Sequence, residues 1–575
     1  ATLTERNPNP YDGEPLYNLG WSLKMQGRYE EAYEQFFKAC WNAAWQDAGY
    51  FNIAQIDLMQ QHPETALENI ERSLIRNWHN HKARALKAAI LRKLNHTTEA
   101  LAWIEDSLAI DAFNMGCRYE KYLLTQQETD LDELKTLMRN WNHGYIEYSL
   151  DYAEAGMWEE AISFLQLHEQ EGGDIYPMVY YALGYYTRQS GQTEKAKAYY
   201  HKASQANPAY CFPNRIEEVV ILESALAANP ADAKASYYLG NFWYGARQYE
   251  EAVKCWETSV QHDDSFPTVW RNLALAYYNK LGQTERALQA MEKAFALDQE
   301  DARVFMELDQ LYKKLGVSHT QRLEKLKRHM SLTEKRDDVY LEYITLNNML
   351  GNHLEAQQDL AQRKFHPWEG GEGKVPGQYL LAQTELAKSA IKAGKYQEAI
   401  DLLAATTEYP HNLGEGKLPG AQENDIDYYR GIAYQALGNQ EKSEFYFRKA
   451  SEGLSEPAPA IYYNDQQPDK IFYQGLAWEA LGNPENARKR FNKLISYGEK
   501  HLFDQVKIDY FAVSLPDLLI WEDDLQKRNT IHCYYLMALG YLGLKKYDEA
   551  KTYFDKVLKM DINHQGAHIH RKMCE

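Results

Sequence analysis

Residues 180–208 read YYALGYYTRQSGQTEKAKAYYHKASQANP. Tyr180, Leu183 and Gly184 recur at the spacing of one helix face, and Ala196, Tyr200 and Ala203 do the same on a second helix. Gly191 falls between the two, and Pro208, which cannot continue a helix, closes the unit. The stretch therefore predicts two short antiparallel helices joined by a tight turn. Small residues sit where the helices come closest, and large ones fill the surrounding holes.

The same pattern extends outward in both directions. Downstream it returns as Leu239, Gly240, Trp243, Tyr249, Ala252 and Trp256, then as Trp270, Leu273, Ala274, Tyr277, Ala287 and Ala294. Upstream it runs through Leu16, Leu19, Gly20, Leu23, Gly27, Tyr29, Ala32, Phe36 and Ala39, then Ala66, Ile70 and Ser73, then Ala100, Ile104 and Ser107. Between Phe113 and Trp141 the register slips, which predicts an irregular helical segment. It recovers with Tyr145, Gly156, Trp158, Ala161 and Leu165. Weaker units begin near Phe305 and Tyr340, and clear ones return around Gly394, Gly438, Gly482 and Tyr541.

A period of about 34 residues with this pattern resembles the tetratricopeptide repeat, over nearly the whole chain. The resemblance implies an all-α fold, a right-handed α-solenoid of about thirteen helical hairpins with a concave inner face. The expected divisions are a lead-in over 1–12, a repeat array over 13–365, repeats carrying inserted loops over 366–530, and a C-terminal repeat and tail over 531–575.

Two of the inserted loops share one core. HPWEGGEGKVPGQY spans 366–379 and PHNLGEGKLPGAQEND spans 410–425, each containing Gly-Glu-Gly-Lys-aliphatic-Pro-Gly. Glycines with conformational freedom and a proline of locked φ suit a defined loop, and loops on a rigid scaffold are where binding concentrates. Phosphate binding is excluded on detail. Trp368 and His411 stand where a P-loop needs its first glycine, and Val375 and Leu418 where it needs Ser or Thr. The polar residues are His366, Trp368, Glu369, Glu372 and Lys374 in the first loop, and His411, Asn412, Glu415, Lys417, Gln422, Glu423 and Asp425 in the second. Neighbouring repeats project equivalent loops from one edge, so the two sets are expected to face each other. An aromatic platform beside carboxylates and amides suits sugar hydroxyls, and paired carboxylates suit acid and base roles. The structural reading of the same residues has each Glu capping a helix and each Lys pairing with it.

Most of the 44 Tyr and 13 Trp fall on packing positions. Tyr17, Trp21, Tyr181, Tyr185, Tyr237 and Tyr428 are instead expected to face the concave groove, where aromatic rings give contact area at low entropic cost. No metal site is expected: His79 and His81, like His568 and His570, are spaced two apart, which points them in different directions on a helix, and they read as solvated. No cofactor is expected.

Acidic residues outnumber basic ones 82 to 63, for a net charge of -19, which argues against wrapping a nucleic acid backbone. There is no apolar run long enough for a membrane span and no signal-peptide core at the start. Six scattered cysteines without a CxxC pair fit reduced thiols, so a cytoplasmic location is expected. The chain starts at Ala1 and enters a repeat by Gly13, so the native protein is expected to continue upstream.

A narrower resemblance rests on the two loop sequences with YYNDQQPD, YGEKHLFDQVKIDYFAVSLPD and RNTIHCYYLMALG. These resemble the C-terminal half of large bacterial proteins of unknown function that join a mutarotase-like β-sandwich domain to tetratricopeptide repeats. That resemblance implies carbohydrate as a ligand class and no particular functional residue. The leading expectation is a non-catalytic binding and scaffold module for a protein segment or an upstream domain of its parent chain. The alternative is the repeat half of a carbohydrate-binding or glycan-processing protein.

Overall fold

A computed structural model of the chain describes residues 11–459, 465–507 and 520–575. All regular structure among them is helical, in hairpins whose members pack on each other and on the next hairpin in chain order. The stretch 180–208 forms the helices Pro177–Gln189 and Thr193–Gln205, with Gly191 at φ 85° in the turn between them. A Cβ on Gly184 would lie 2.5 Å from the Tyr200 ring, so only glycine lets the two helices approach so closely. Gly240 meets Trp256 and Gly475 meets Phe491 in the same way, at 2.5 and 2.3 Å. One small-against-aromatic contact thus recurs along the array. Ala196, Ala203, Ala252 and Ala487 complete the seams as buried residues.

The register slip after Phe113 has a simple cause. Two helices of 11 residues each, Met115–Thr125 and Glu128–Met138, form a hairpin shorter than the rest, turned by Gln126 in the left-handed conformation. The segment is a regular, abbreviated hairpin and not the irregular segment the sequence predicts.

The chain divides into two compact units, 1–265 and 266–575, and the divisions expected at 365 and 530 both fall inside the second. In the first unit, helices far apart in sequence meet on the inner face through charged side chains. The Lys24 ammonium, almost wholly buried, donates to Gln55 Oε1 at 2.5 Å and lies 3.6 Å from Glu154, whose carboxylate also accepts from Gln55 Nε2 at 3.1 Å. Lys82 reaches Glu147 at 3.1 Å and Asp151 at 2.8 Å, and Arg215 reaches Glu147 at 2.9 Å. Tyr181 and Tyr237, expected to face a groove, are buried at 0% and 3% exposure and line none. Tyr181 packs against Tyr238 and donates its hydroxyl to the Asp232 carboxylate.

In the second unit the later hairpins return to the earlier ones. Asn563 donates to the Lys313 carbonyl at 3.2 Å and accepts from Arg322 at 3.3 Å, while the amides of Gln378 and Gln565 exchange hydrogen bonds at 2.9 and 3.1 Å. Residues 520–523 strap across the same helices. The Trp521 indole is buried and donates to the Glu307 carbonyl at 2.9 Å, and Asn279 pairs with the backbone of Ile520 and Glu522 at 2.8 and 2.9 Å. Ion pairs Lys280–Glu522 and Lys314–Asp523 flank the strap.

The inserted loops are shorter than the sequence predicts. Helix Lys374–Lys392 begins inside the first, so residues 374–379 are its opening turns. Pro376 is tolerated there because the first N–H groups of a helix have no intrahelical partner. Helix Asn424–Ala436 likewise takes in Asp425. The lead-in over 1–12 and the division expected to carry inserted loops, 366–530, lie partly outside the described residues, and within the latter Pro484–His501 is regular helix.

Candidate functional site

Closure of the second unit leaves a cavity of about 1820 Å³ on its inner face, walled by first helices of successive hairpins and by both glycine-rich loops. The loops do meet. Phe365 N–H donates to the Asn412 carbonyl at 2.8 Å, and Asn412 Nδ2 donates to the carbonyls of Leu360 and Arg363 at 2.7 and 2.8 Å. Gly414, at φ 80°, sits so close to the Phe365 carbonyl that a Cβ would be 2.7 Å from the oxygen. The Gly373 N–H, at the start of helix Lys374–Lys392, donates to Glu415 Oε2 at 2.8 Å. A carboxylate from one loop thus caps the helix that the other loop begins, where the helix dipole favours negative charge. Burial and the neighbouring Glu372 carboxylate nevertheless raise the pKa of Glu415 above its ordinary value.

The predicted loop residues separate into two groups. Trp368, Glu369, Lys374, Glu415, Gln422 and Asp425 line the cavity. The Trp368 indole folds over Gly371, where a Cβ would stand 2.2 Å from the ring, and this positions a half-exposed aromatic face on the wall. Asp425 is paired with Lys470 at 2.5 Å. The second group does not line it. His366 is exposed and held by Asp337, at 2.9 Å to its N–H and 3.1 Å to Nδ1, and Asn412 is a staple between loops. Lys417 pairs with Glu423 at 2.5 Å and borders a separate shallow pocket with it. Glu372 and His411 are exposed. His366, Asn412 and the Lys417–Glu423 pair make contacts that brace the loops.

Of the remaining predicted groove aromatics, Tyr17 and Trp21 pack around Phe36 and its neighbours, with the Tyr17 ring 4.9 Å from Trp45, and Tyr185 meets Trp158 edge-on at 6.0 Å. Tyr428 packs on Phe447 and Tyr473 at 5.8 and 5.7 Å. All four are half-buried packing residues.

The far wall comes from residues that the sequence did not single out. Tyr473, Lys470, Tyr535, His532, His564 and Gln565 line it together with His570. His570, read from sequence as solvated, is 3% exposed, and His568 Nε2 donates to the Ile562 carbonyl at 2.8 Å. The available signal was the last segment, HQGAHIHR (564–571), whose polar residues break the apolar stripe expected of a terminal helix. His79 and His81 are exposed. Among the described residues no group of three or more His, Cys, Asp or Glu is arranged to hold a metal ion. No helix among them is long and apolar enough to cross a membrane. The six cysteines are free thiols, and burial pushes that of Cys40 up to about 12, which removes it from thiolate chemistry near neutral pH.

Family models of the tetratricopeptide repeat match residues 179–210 and 531–564, residues 221–254 and 244–302, and residues 471–497. Solved structures similar to this chain include the tetratricopeptide domain of P58(IPK), at 10% identity over 92% of this chain and 97% of that one, with a TM-score of 0.23. MamA from Desulfovibrio magneticus RS-1 is 23% identical over 34% of this chain and 97% of its own, with a TM-score of 0.20. YrrB, described as a tetratricopeptide protein with an unusual peptide-binding site, is 16% identical over 42% of this chain and 98% of its own, with a TM-score of 0.16. The hairpin quoted first and the segments matched beside it are tetratricopeptide repeats.

Proposed function

We propose that this chain is a non-catalytic binding module whose second unit holds an extended protein segment, from a partner or from an adjoining domain of its own parent chain, in the cavity on its inner face. The observation that carries this reading is the size and construction of the cavity. At about 1820 Å³ it exceeds the roughly 300–1,000 Å³ typical of small-molecule sites, and it is walled by helices of several repeats. Charged residues on its walls pair with one another, as Asp425 does with Lys470 and Arg336 with Asp338, which suits holding a ligand. Half-exposed rings at Trp368 and Tyr409 offer apolar contact along the walls.

One observation favours carbohydrate as a second reading. The half-exposed Trp368 indole lies on the same wall as Glu369, Glu415 and Gln422, a ring with planar polar groups beside it.

Selection of a random peptide library on the intact chain separates the two. Enriched peptides are expected to bind the variant carrying Trp368→Ala and Glu415→Ala about tenfold or more weakly, a change of about 1.4 kcal/mol, with the variant still cooperatively folded. If no peptide is enriched, and a neutral oligosaccharide raises the melting temperature in a dose-dependent way that Trp368→Ala abolishes, the second reading replaces the first. Loss of folding in the double variant would assign these loops a structural role alone.

A further inference from the structure

The inner face of the first unit closes around two carboxyls and one buried ammonium. Lys24, on helix Glu14–Met25, donates to Gln55 Oε1 at 2.5 Å and to Asn52 Oδ1 at 3.2 Å, both on helix Gln46–Met59. It lies 3.6 Å from Glu154 Oε2, at the C-terminal end of helix Asn142–Ala153, and Gln55 Nε2 donates to the same oxygen at 3.1 Å. The Glu154 carboxyl is also hydrogen-bonded to that of Glu217, in the first turn of helix Ile216–Ala228. Four helices from separate hairpins thus meet at one cluster.

A hydrogen bond between two carboxyls needs a proton, because two carboxylates are acceptors only. The pair therefore carries one proton and one negative charge, which the Lys24 ammonium matches, and it titrates as a unit. Glu154 is the charged member: against the effect of burial, Lys24 and the bond to Glu217 bring it below its ordinary value. Burial, helped by the Glu154 charge, raises Glu217 to about 7. Lys24 is lowered by burial, in part offset by Glu154 and Glu217.

The other charged groups on this face are engaged with one another. Lys82, on helix His81–Lys93, meets Glu147 at 3.1 Å and Asp151 at 2.8 Å, and Arg215 meets Glu147 at 2.9 Å and Glu218 at 3.7 Å. Asp151 is itself raised to about 7 by burial. Tyr17 and Tyr186, which also feel Glu154, are raised by burial and stay neutral. Carboxyls outnumber cations here, so loss of the shared proton sets two carboxylates against each other over a single ammonium, where burial leaves them poorly screened.

We propose that the first unit carries a proton-operated latch: one proton shared by Glu154 and Glu217 over the buried Lys24 holds the first hairpin and helix Ile216–Ala228 to the end of helix Asn142–Ala153, and its loss above neutral pH opens the inner face. The sign follows from Glu217. A carboxyl whose folded value lies above its unfolded one contributes most below the unfolded value, and that contribution is lost as pH rises through about 7.

Hydrogen exchange of the intact chain at pH 6 and pH 8.5, corrected for the intrinsic effect of pH on exchange, tests this. Protection of helices Glu14–Met25 and Ile216–Ala228 is expected to fall about tenfold or more at the higher pH, while helix Glu128–Met138, which carries none of these groups, keeps its own. Glu217→Gln replaces the shared proton with an amide N–H that still donates to Glu154, so the fall should shrink to the part that Asp151 causes, and adding Asp151→Asn should abolish it. Glu154→Gln makes the same replacement from the other side and keeps the test open should the first variant fail to fold. Unchanged protection in the parent chain would overturn the latch. So would a fall as large in the Gln variants as in the parent, or an equal fall in helix Glu128–Met138, which would mean that the whole unit loosens.

Discussion

The two units are built from the same hairpin and differ in what they do with their inner faces. In the first, Lys24, Lys82 and Arg215 bridge to Glu147, Asp151 and Glu154 across helices distant in sequence, and Tyr181 and Tyr237, expected in a groove, are sunk into the core. In the second, comparable long-range contacts at Trp521, Asn563 and Gln565 lie around a cavity that stays open. The lesson is that a repeat supplies a scaffold and a face, while the side chains that close the array decide whether that face is filler or site.

The largest way to break this contrast is at the strap. Trp521→Ala removes a buried indole together with its hydrogen bond to the Glu307 carbonyl, and is expected to cost about 3–5 kcal/mol. Denaturant unfolding followed by hydrogen exchange should register that loss in the second unit and leave the first unchanged. An equal loss in both would mean that the two do not unfold separately. A smaller effect is expected from Gly240→Leu, which forces a side chain into space held by Trp256 and destabilises the first unit by about 1–3 kcal/mol of overpacking. Gly245→Ala, on the same helix with nothing near its Cβ position, should be close to neutral in the same assay.

The smallest effect sharpens the account of the filled face. Burial, only partly offset by Lys82, raises Asp151 to about 7. A carboxyl whose folded pKa lies above its unfolded value stabilises the fold most below the unfolded value of about 4, and that contribution is lost as pH rises toward 7. The stability of Asp151→Asn relative to the parent chain is therefore expected to rise between about pH 4 and pH 7, as measured by denaturant midpoints. A flat difference across that range would remove Asp151 as a buried titrating group.

Much of the fold was legible because its signal is local. The pairing of Gly184 with Tyr200 is a spacing rule within one hairpin, and it survives wherever the hairpin recurs. The two loops were legible for the same reason: duplicated sequence at neighbouring repeats implies neighbouring position, and Gly373 does meet Glu415. Which loop residues would line the cavity was not legible. Trp368 and His366 are two residues apart in one motif, yet the first folds inward over Gly371 and the second outward to Asp337. The loops' extent was overread at 374–379, because Gly-Lys-Val-Pro-Gly looks like a turn but is also an acceptable first turn of a helix, where a missing N–H costs nothing.

The amino-acid sequence by itself determined that this is an array of helical hairpins and that two glycine-rich loops would stand side by side. Those properties follow from contacts within about 34 residues, one repeat, and a linear pattern records them directly. Only the tertiary structure decided which inner face is filled and which is open, and that His532, His564 and His570 line one cavity with Trp368. Such groupings depend on how far the array curls before its end meets its own earlier turns. That curvature accumulates from small rotations at every interface, and no single stretch of sequence encodes it.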